Sequence, residues 1–212
     1  MENPVIIFGA NYLGRSAKEI FESNGNVVYG FLDDNKELHN TELDNVVVLG
    51  RTDDDGFLKL IGRKCEAFVA VDDNKLRKSL VKMLHEVRKM QPVNAVHPKA
   101  NLAASAAIGH GNFIDAGAHI GAGAEIKNHC LIHSNVVVNA EVQIGDFVQI
   151  GASSTINPGV VIEDEAFIGS GVVIVSGVTI GKGARVGAGS VVIGPVKPGE
   201  TVFGNPASSV NA

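Results

Sequence analysis

The sequence has few of the features that mark secreted, membrane or nucleic-acid-binding proteins. Its two cysteines, Cys65 and Cys130, are too few for a disulfide framework and favour a reducing, cytoplasmic setting. No stretch reaches the ~18 apolar residues that a membrane span needs, and residues 1–11 lack the positive n-region of a signal peptide. The net charge is −5 without a basic run, so neither a membrane nor a nucleic acid is expected as a partner.

A strict period of six residues runs through the second half of the chain. An aliphatic side chain occupies every sixth position from Val96 to Val192, and small or aliphatic residues recur four positions later. This period predicts a parallel β-helix, whose repeats bury their apolar faces only by stacking on one another. Three hexads make one triangular coil, so residues 18 apart should stack in adjacent coils, about 4.8 Å from each other.

The first part of the chain follows a different pattern. Apolar strands are predicted at residues 5–8, 27–32, 45–50 and 67–71, and helical segments lie between them. Such alternation is typical of an α/β domain with a Rossmann-like parallel sheet. The predicted buried stripe of the last helix consists of Leu76, Leu80, Leu84 and Val87. Pro92 and Pro98 bracket the passage into the β-helix, and we predict domains at residues 1–91 and 92–212.

A glycine and several polar residues follow these strands, where open parallel sheets bind their ligands. They are Gly9, Asn11, Asp33, Asp34, Asp72 and Asp73. The spacing from Gly9 to Gly14 is not the dinucleotide-binding fingerprint, although the N-terminus of the following helix can accept an anion. The Asp33–Asp34 pair suits a ribose hydroxyl or the N–H of a base. For both aspartate pairs, the capping of helices and turns is the alternative interpretation.

The 18-residue stacking rule gives two further groups of interest. Asp115 should lie directly below His133, where a carboxylate would orient the imidazole as a general base requires; a solvated polar ladder is the alternative. Glu141 should stack between Gly123 and Gly159, which leaves room around its carboxylate. Three other histidines fall on different hexad positions, so no metal site is predicted: His110, His119 and His129.

Short motifs in both halves of the chain point to one family. They are Phe8–Gly9, Phe31–Asp34, Val71–Asn74 with Arg77, the hexads, and Val202–Ala207. Together they resemble the hexapeptide-repeat sugar O- and N-acyltransferases with an N-terminal nucleotide-sugar domain, bacterial enzymes that acetylate nucleotide-linked 4-amino sugars. The resemblance implies a left-handed parallel β-helix, a homotrimer, and a groove between two β-helices that binds acetyl-CoA.

The resemblance implies an acetyl-CoA-dependent N-acetyltransferase of surface glycan biosynthesis, acting on a nucleotide-linked sugar such as a 4-amino-4,6-dideoxy sugar. A sugar O-acetyltransferase of the sialic-acid type and a non-catalytic trimeric nucleotide-sugar-binding protein are the alternatives. Nucleotide-sugar binding is expected from Gly9, Asn11, Asp33, Asp34 and Asp73. The family's Gly-x-Gly-Gly-His-Gly opening is replaced here by Gly-Ala-Asn-Tyr-Leu-Gly at residues 9–14.

This chain departs from the family's catalytic motif at one position. Ala140 stands where the family has its general-base histidine, whereas Glu141 keeps the acidic position, and His133 lies in the neighbouring motif above Asp115. Three explanations compete. Ala140 is an engineered replacement of histidine; or catalysis needs no histidine there and Asp115, His133 or Glu141 orients the amine; or the chain is an inactive ligand-binding protein.

The resemblance also suggests which residues line the acyl-CoA groove. Gln149 takes the place of a second family histidine that faces the acyl group. Small residues that let a cofactor approach the backbone are expected in two stacked columns. Ser170 and Ala188 stack above Ala152 in one, and Ser176 and Gly194 stack above Ala140 and Pro158 at the opposing corner, where Gly159 also lies. Backbone N–H groups near Gly159 are expected to stabilise the oxyanion that forms when the thioester is attacked.

Overall fold

The computed structural model describes residues 3–210, and the chain divides into two compact units, Met1–Pro98 and Lys99–Ala212. The first is an α/β unit and the second is a left-handed parallel β-helix, as the sequence predicts. Within residues 3–210, no helix is long and apolar enough to cross a bilayer.

The first unit is built on a five-stranded sheet. Its strands are β1 (Val5–Phe8), β2 (Val28–Leu32), β3 (Glu42–Leu43), β4 (Val46–Gly50) and β5 (Glu66–Val69). The strand order is β3-β4-β2-β1-β5; all neighbours are parallel except β3 and β4, which form an antiparallel pair. β1 is buried along its whole length, which explains its uninterrupted apolar run.

The helices of this unit begin at side chains that cap them. Helix α1 (Tyr12–Ser23) begins after Asn11, the short α2 (Asp55–Leu58) after Asp54, and α3 (Asn74–Met83) after Asp73; each capping oxygen accepts a first-turn backbone N–H. A single 3₁₀ turn, Lys36–Leu38, follows β2. Capping is therefore one role of Asp73.

The predicted apolar stripe of the last helix is half wrong. Leu80 and Leu84 are buried, but Leu76 is 45% exposed and Val87 is 58% exposed. The helix continues beyond Met83 as a π-helical turn, Leu84–Arg88. Because a π turn advances by about 4.4 residues rather than 3.6, it rotates Val87 away from the face that Leu80 shares with Leu84.

The boundary between the units lies after Pro98, seven residues beyond the predicted start of the β-helix domain at residue 92. The intervening segment is bound to the first unit by its backbone. The N–H of Val93 donates to Ala67 O at 2.9 Å, and Asn24 Nδ2 donates to Val96 O at 2.9 Å. The short strand β6 (Ala95–Val96) belongs to the same sheet as strands of the β-helix, as the hexad period at Val96 predicts.

The β-helix consists of two-residue strands on three faces. The first face contains β7 (Asn101–Leu102), β10 (His119–Ile120), β13 (Val137–Val138), β16 (Thr155–Ile156), β19 (Val173–Ile174) and β22 (Val191–Val192). The second face contains β8 (Ala107–Ile108), β11 (Glu125–Ile126), β14 (Gln143–Ile144), β17 (Val161–Ile162) and β20 (Thr179–Ile180). The third face contains β6 (Ala95–Val96), β9 (Phe113–Ile114), β12 (Leu131–Ile132), β15 (Gln149–Ile150), β18 (Phe167–Ile168), β21 (Arg185–Val186) and β23 (Thr201–Gly204).

The register confirms the 18-residue stacking rule. Ile126 pairs with Ile144 and Ile144 with Ile162, and the same step holds on the other two faces. The second residue of each central strand points inward; Ile144 is only 1% exposed. Strand β24 (Ala207–Ser209) folds back antiparallel on β23 after the turn at residues 204–207 and closes the stack.

Candidate functional site

The loop between β1 and α1 is tied to the neighbouring strand. Asn11 Oδ1 accepts the N–H groups of Leu13 at 2.9 Å and Gly14 at 3.1 Å, and its Nδ2 donates to Ala70 O at 3.1 Å. Gly9 has φ +108, and a Cβ there would lie 2.5 Å from the same Ala70 oxygen. Asn11 therefore already accepts two of the N–H groups that this helix N-terminus could offer to an anion.

The two aspartates after β2 have different surroundings. Asp33 is half-buried; its Oδ2 accepts from Ala10 N at 2.8 Å and its Oδ1 from Asn35 N at 2.8 Å. It thereby holds the ends of β1 and β2 together. Asp34 is exposed, and its Oδ1 accepts from both the N–H and the hydroxyl of Thr52, at 3.0 and 2.9 Å. Asp33 thus has the capping role that the sequence left open.

A tyrosine that the sequence analysis passed over lies across from the aspartates after β5. The hydroxyl of Tyr12 donates to Asp72 Oδ2 at 2.6 Å. This hydrogen bond to Asp72, together with partial burial and the carboxylate charge, raises the pKa of Tyr12 from 10.0 to about 12. Asp73 instead accepts from Leu76 N at 2.7 Å, and buried Arg77 donates to Val71 O and Asp72 O, which fixes the loop between them.

In the second unit, His133 lies at the corner between the third and first faces. Gln149 Nε2 lies 3.4 Å from His133 Nε2, and the His133 ring centroid lies 6.0 Å from that of Phe113. Asp115 occupies the stacked position one coil earlier, and its Oδ1 accepts from Ala116 N at 2.7 Å. The structure thus brings His133 and Gln149 together, a contact that the sequence analysis did not identify.

Ala140 and Glu141 form the next corner, between the first and second faces. Glu141 is exposed with φ +58, and its N–H donates to Ala122 O at 3.0 Å. One coil later, the N–H of Gly159 donates to Ala140 O at 3.1 Å. The N–H of Gly159 is therefore engaged within the chain, and an oxyanion donor among the N–H groups near Gly159 stays a prediction.

The candidate catalytic and groove residues thus fall on two corners of one chain. The corner between the third and first faces holds His133 one step of 18 after Asp115, and beside them the separate column of Ala152, Ser170 and Ala188. The corner between the first and second faces holds Ala140, Glu141, Gly159 and Ser176. Since the first face separates the two corners, one β-helix alone does not join these residues into a single site.

The column of Ala152, Ser170 and Ala188 has backbone packed closely beneath it. A Cβ on Gly151 would lie 2.5 Å from Ser170 N, and one on Gly169 would lie 2.5 Å from Ala188 N. Ser170 and Ala188 are exposed and Ala152 is half-buried, so the column presents small side chains to the outside. Within residues 3–210, no group of three or more His, Cys, Asp or Glu side chains is arranged to hold a metal ion.

Two family models match the chain. The PglD N-terminal domain matches residues 4–84, and the bacterial transferase hexapeptide model matches residues 105–140, 141–175 and 159–194. No curated protein sequence matches significantly.

Solved structures resemble the chain from end to end. Perosamine N-acetyltransferase from Caulobacter crescentus, with CoA and GDP-perosamine, is 28% identical with a TM-score of 0.90, covering 100% of this chain and 99% of that one. A variant of that enzyme with histidine replaced by alanine, holding the same ligands, is 29% identical with a TM-score of 0.91 and the same coverage.

WeeI from Acinetobacter baumannii AYE is 26% identical, with a TM-score of 0.84 over 98% of this chain and 99% of that one. The family models match both units of the chain, and the structural likeness spans both. The chain therefore belongs to the hexapeptide-repeat acetyltransferase family and carries its PglD-type N-terminal domain.

Proposed function

We propose that this protein transfers an acetyl group from acetyl-CoA to the amino group of a nucleotide-linked amino sugar, such as a 4-amino-4,6-dideoxy sugar, for surface glycan biosynthesis in the cytoplasm. The observation that carries this proposal is the end-to-end likeness to perosamine N-acetyltransferase, whose structure holds both CoA and GDP-perosamine. Gly9, Asn11, Asp33, Asp34 and Asp73 would surround or shape the nucleotide-sugar site.

The proposed reaction joins the sugar nitrogen to the acetyl carbon. The amine attacks the thioester carbonyl, the carbon–sulfur bond breaks, and the CoA thiolate leaves while the nitrogen loses a proton. Ala140 has no group that can accept this proton, so His133 is the proposed base. Its Nε2 faces Gln149, the residue proposed to lie near the acyl group, across a long contact of 3.4 Å that an incoming N–H can replace.

The groove for acetyl-CoA is proposed to form between subunits of a homotrimer. Ala152, Ser170 and Ala188 would line one wall, and Gly159 and Ser176 would line the other. This arrangement follows from the separation of the two columns on different corners of one chain, because each column needs an opposing wall. Sedimentation equilibrium at micromolar concentration tests it, and a monomer mass would contradict the proposed groove.

Acetyl transfer from radiolabelled acetyl-CoA to GDP-perosamine and related amino sugars tests the activity directly. We expect His133→Ala to lower kcat/KM by about 10²-fold or more, the usual range for loss of a general base. His119→Ala is the matched control, because His119 is also half-buried on the β-helix and lies on the first face. Equal losses in both variants would contradict the role of His133.

Ala140 supports a second candidate, a non-catalytic protein that binds the same ligands. In perosamine N-acetyltransferase, a variant with histidine replaced by alanine still holds CoA and GDP-perosamine. Binding of both ligands without acetyl transfer to any amino sugar would favour this second function. Turnover would exclude it.

A further inference from the structure

The carboxyl ends of β1 and β5 border a crevice in the first unit. In the sheet, β2 lies next to β1 on one side, and β5, which comes later in the chain, lies next to β1 on the other side. This reversal of strand order is where open α/β sheets bind their ligands. Tyr12 and Asp72 join the two sides of the crevice through the hydrogen bond of 2.6 Å.

The backbone donors that a diphosphate would use at this crevice are already engaged. Asn11 accepts the N–H groups of Leu13 and Gly14, and Asp33 accepts that of Ala10. A phosphate at a helix N-terminus binds through such N–H groups. The loop therefore offers few donors to an anion, in contrast to the glycine-rich opening of the family.

The charges at this edge also disfavour a diphosphate. Asp33, Asp34, Asp72 and Asp73 all follow strands there, whereas Arg51 and Arg77 are occupied and Arg15 on α1 lies 3.8 Å from Asp44. Arg51 is bound to Asp53 at 2.8 Å, and buried Arg77 donates to backbone carbonyl oxygens. Carboxylates accept hydrogen bonds, so this edge suits the N–H and hydroxyl donors of a base and a ribose.

Tyr12 adds an aromatic surface to the same crevice. Its side chain belongs to a residue that is 60% exposed, yet the hydroxyl is anchored on Asp72, so the ring is held while its surface remains accessible. Aromatic rings bind bases by stacking, an interaction that needs no charge on the ligand. An anchored ring loses little conformational entropy when a base stacks on it.

We propose that Tyr12, held by Asp72, selects the nucleoside part of the nucleotide sugar by stacking on it, and that the β1–α1 loop makes no contact with the diphosphate. The proposal rests on the proposed function. It names Tyr12 as a specificity-determining residue and places the base, rather than the phosphates, against helix α1.

Calorimetric titration of the full-length protein with guanosine, GDP, uridine, UDP and CoA tests this assignment. We expect the dissociation constants of the better-bound nucleoside and of its diphosphate to agree within about 3-fold. A loop that binds phosphate would instead give the diphosphate a dissociation constant about 100-fold lower. Tyr12→Leu should weaken the nucleoside and its diphosphate equally, by about 10-fold, and leave CoA unchanged. Tyr12→Phe keeps the ring and should lose less affinity for both ligands than Tyr12→Leu.

Asn11→Gly tests whether freeing the backbone N–H groups of this loop creates a site for the diphosphate. This substitution removes the side chain that accepts the N–H groups of Leu13 and Gly14, and a helix tolerates glycine at this position at a cost of only a few tenths of a kcal/mol. We expect the diphosphate to gain affinity over its nucleoside in this variant.

Three outcomes would overturn the assignment. They are a strong preference of the parent for the diphosphate, a Tyr12→Leu variant that binds like the parent, and equal weakening of CoA. Acetyl transfer to a nucleotide sugar with any of these outcomes overturns only the role of Tyr12. A parent protein that neither binds nucleotides nor transfers acetyl groups overturns the proposed function as well.

Discussion

The N–H of Gly159 donates to the carbonyl of Ala140 across one coil, at 3.1 Å. This bond fixes the backbone of the corner on which Ala140 lies. Ala122 and Pro158 occupy the same position in the coils before and after, and Glu141 is exposed beside it. The corner therefore has a fixed backbone and a small side chain where the family resemblance places a catalytic histidine.

Ala140→His tests whether this corner still supports catalysis. Because His133 is the proposed base, we expect Ala140→His to raise kcat/KM for acetyl transfer by less than about 10-fold and His133→Ala to produce the large change. A rise of about 10²- to 10⁴-fold in Ala140→His, the usual contribution of a general base, would contradict the role of His133. Ala122→His, one coil earlier, is the control. If neither substitution at 133 or 140 alters the rate, the proposed mechanism is wrong.

Ile144→Asp should unfold the β-helix. Ile144 is 1% exposed between Ile126 and Ile162, so the substitution buries an unpaired carboxylate at a cost of several kcal/mol, on the order of 4. Gln143→Asp is the matched control, since Gln143 precedes Ile144 on the same strand but is exposed. Circular dichroism melting of both variants measures the difference; an unchanged melting temperature for Ile144→Asp would contradict the inward register.

Asp33→Ala and Asp34→Ala should differ in their effects. Asp33 accepts two backbone N–H groups, so we expect its loss to lower the free energy of unfolding by about 1–3 kcal/mol. Asp34 is exposed, so its loss should cost less than about 1 kcal/mol. Both substitutions should weaken nucleotide-sugar binding and leave CoA binding unchanged. Denaturant unfolding and calorimetry measure these changes; equal stability of the two variants would contradict the structural role of Asp33.

The Tyr12 phenol should titrate well above its ordinary range. Its pKa of about 12 arises chiefly from the hydrogen bond to Asp72, so Asp72→Asn should move the midpoint back towards 10. The raised pKa favours the neutral phenol in the folded state. Its contribution to stability is therefore complete below pH ~10 and is lost as the pH rises through about 12.

Tyrosinate absorbance measures this titration. The chain has two tyrosines, so Tyr29→Phe leaves Tyr12 as the one phenol observed. Asp73→Asn in the same background is the control, because Asp73 caps α3 and accepts from Leu76 N rather than from Tyr12. A midpoint that Asp72→Asn does not change would show that the phenol is not bound to Asp72 in solution.

A structural ladder in the β-helix illustrates what the hexad pattern does not predict. Asp146 Oδ1 accepts both the N–H and the side-chain amide of Asn128, each at 2.9 Å, and Asp164 Oδ1 accepts from Asp146 N at 2.9 Å. These residues are 18 apart, so the stacking rule brings them together. Their hydrogen bonds depend on side-chain rotamers, which a period in the sequence does not specify.

The sequence by itself determined the β-helix, the α/β unit and the position of each residue within a coil. Burial selects an aliphatic side chain at every sixth position, so the period of six records which residues of the strands point inward. Asp115 below His133, and Ala140 below Pro158, follow from counting alone.

Only the tertiary structure decided which neighbours these residues use. It joined Tyr12 to Asp72 over 60 positions in sequence, because two parallel strands end side by side, and it bound the backbone of Val93 to that of Ala67. It also paired the N–H of Gly159 with the carbonyl oxygen of Ala140. Hydrogen-bond partners depend on where distant backbone segments meet, and local patterns of apolar residues carry no information about that meeting.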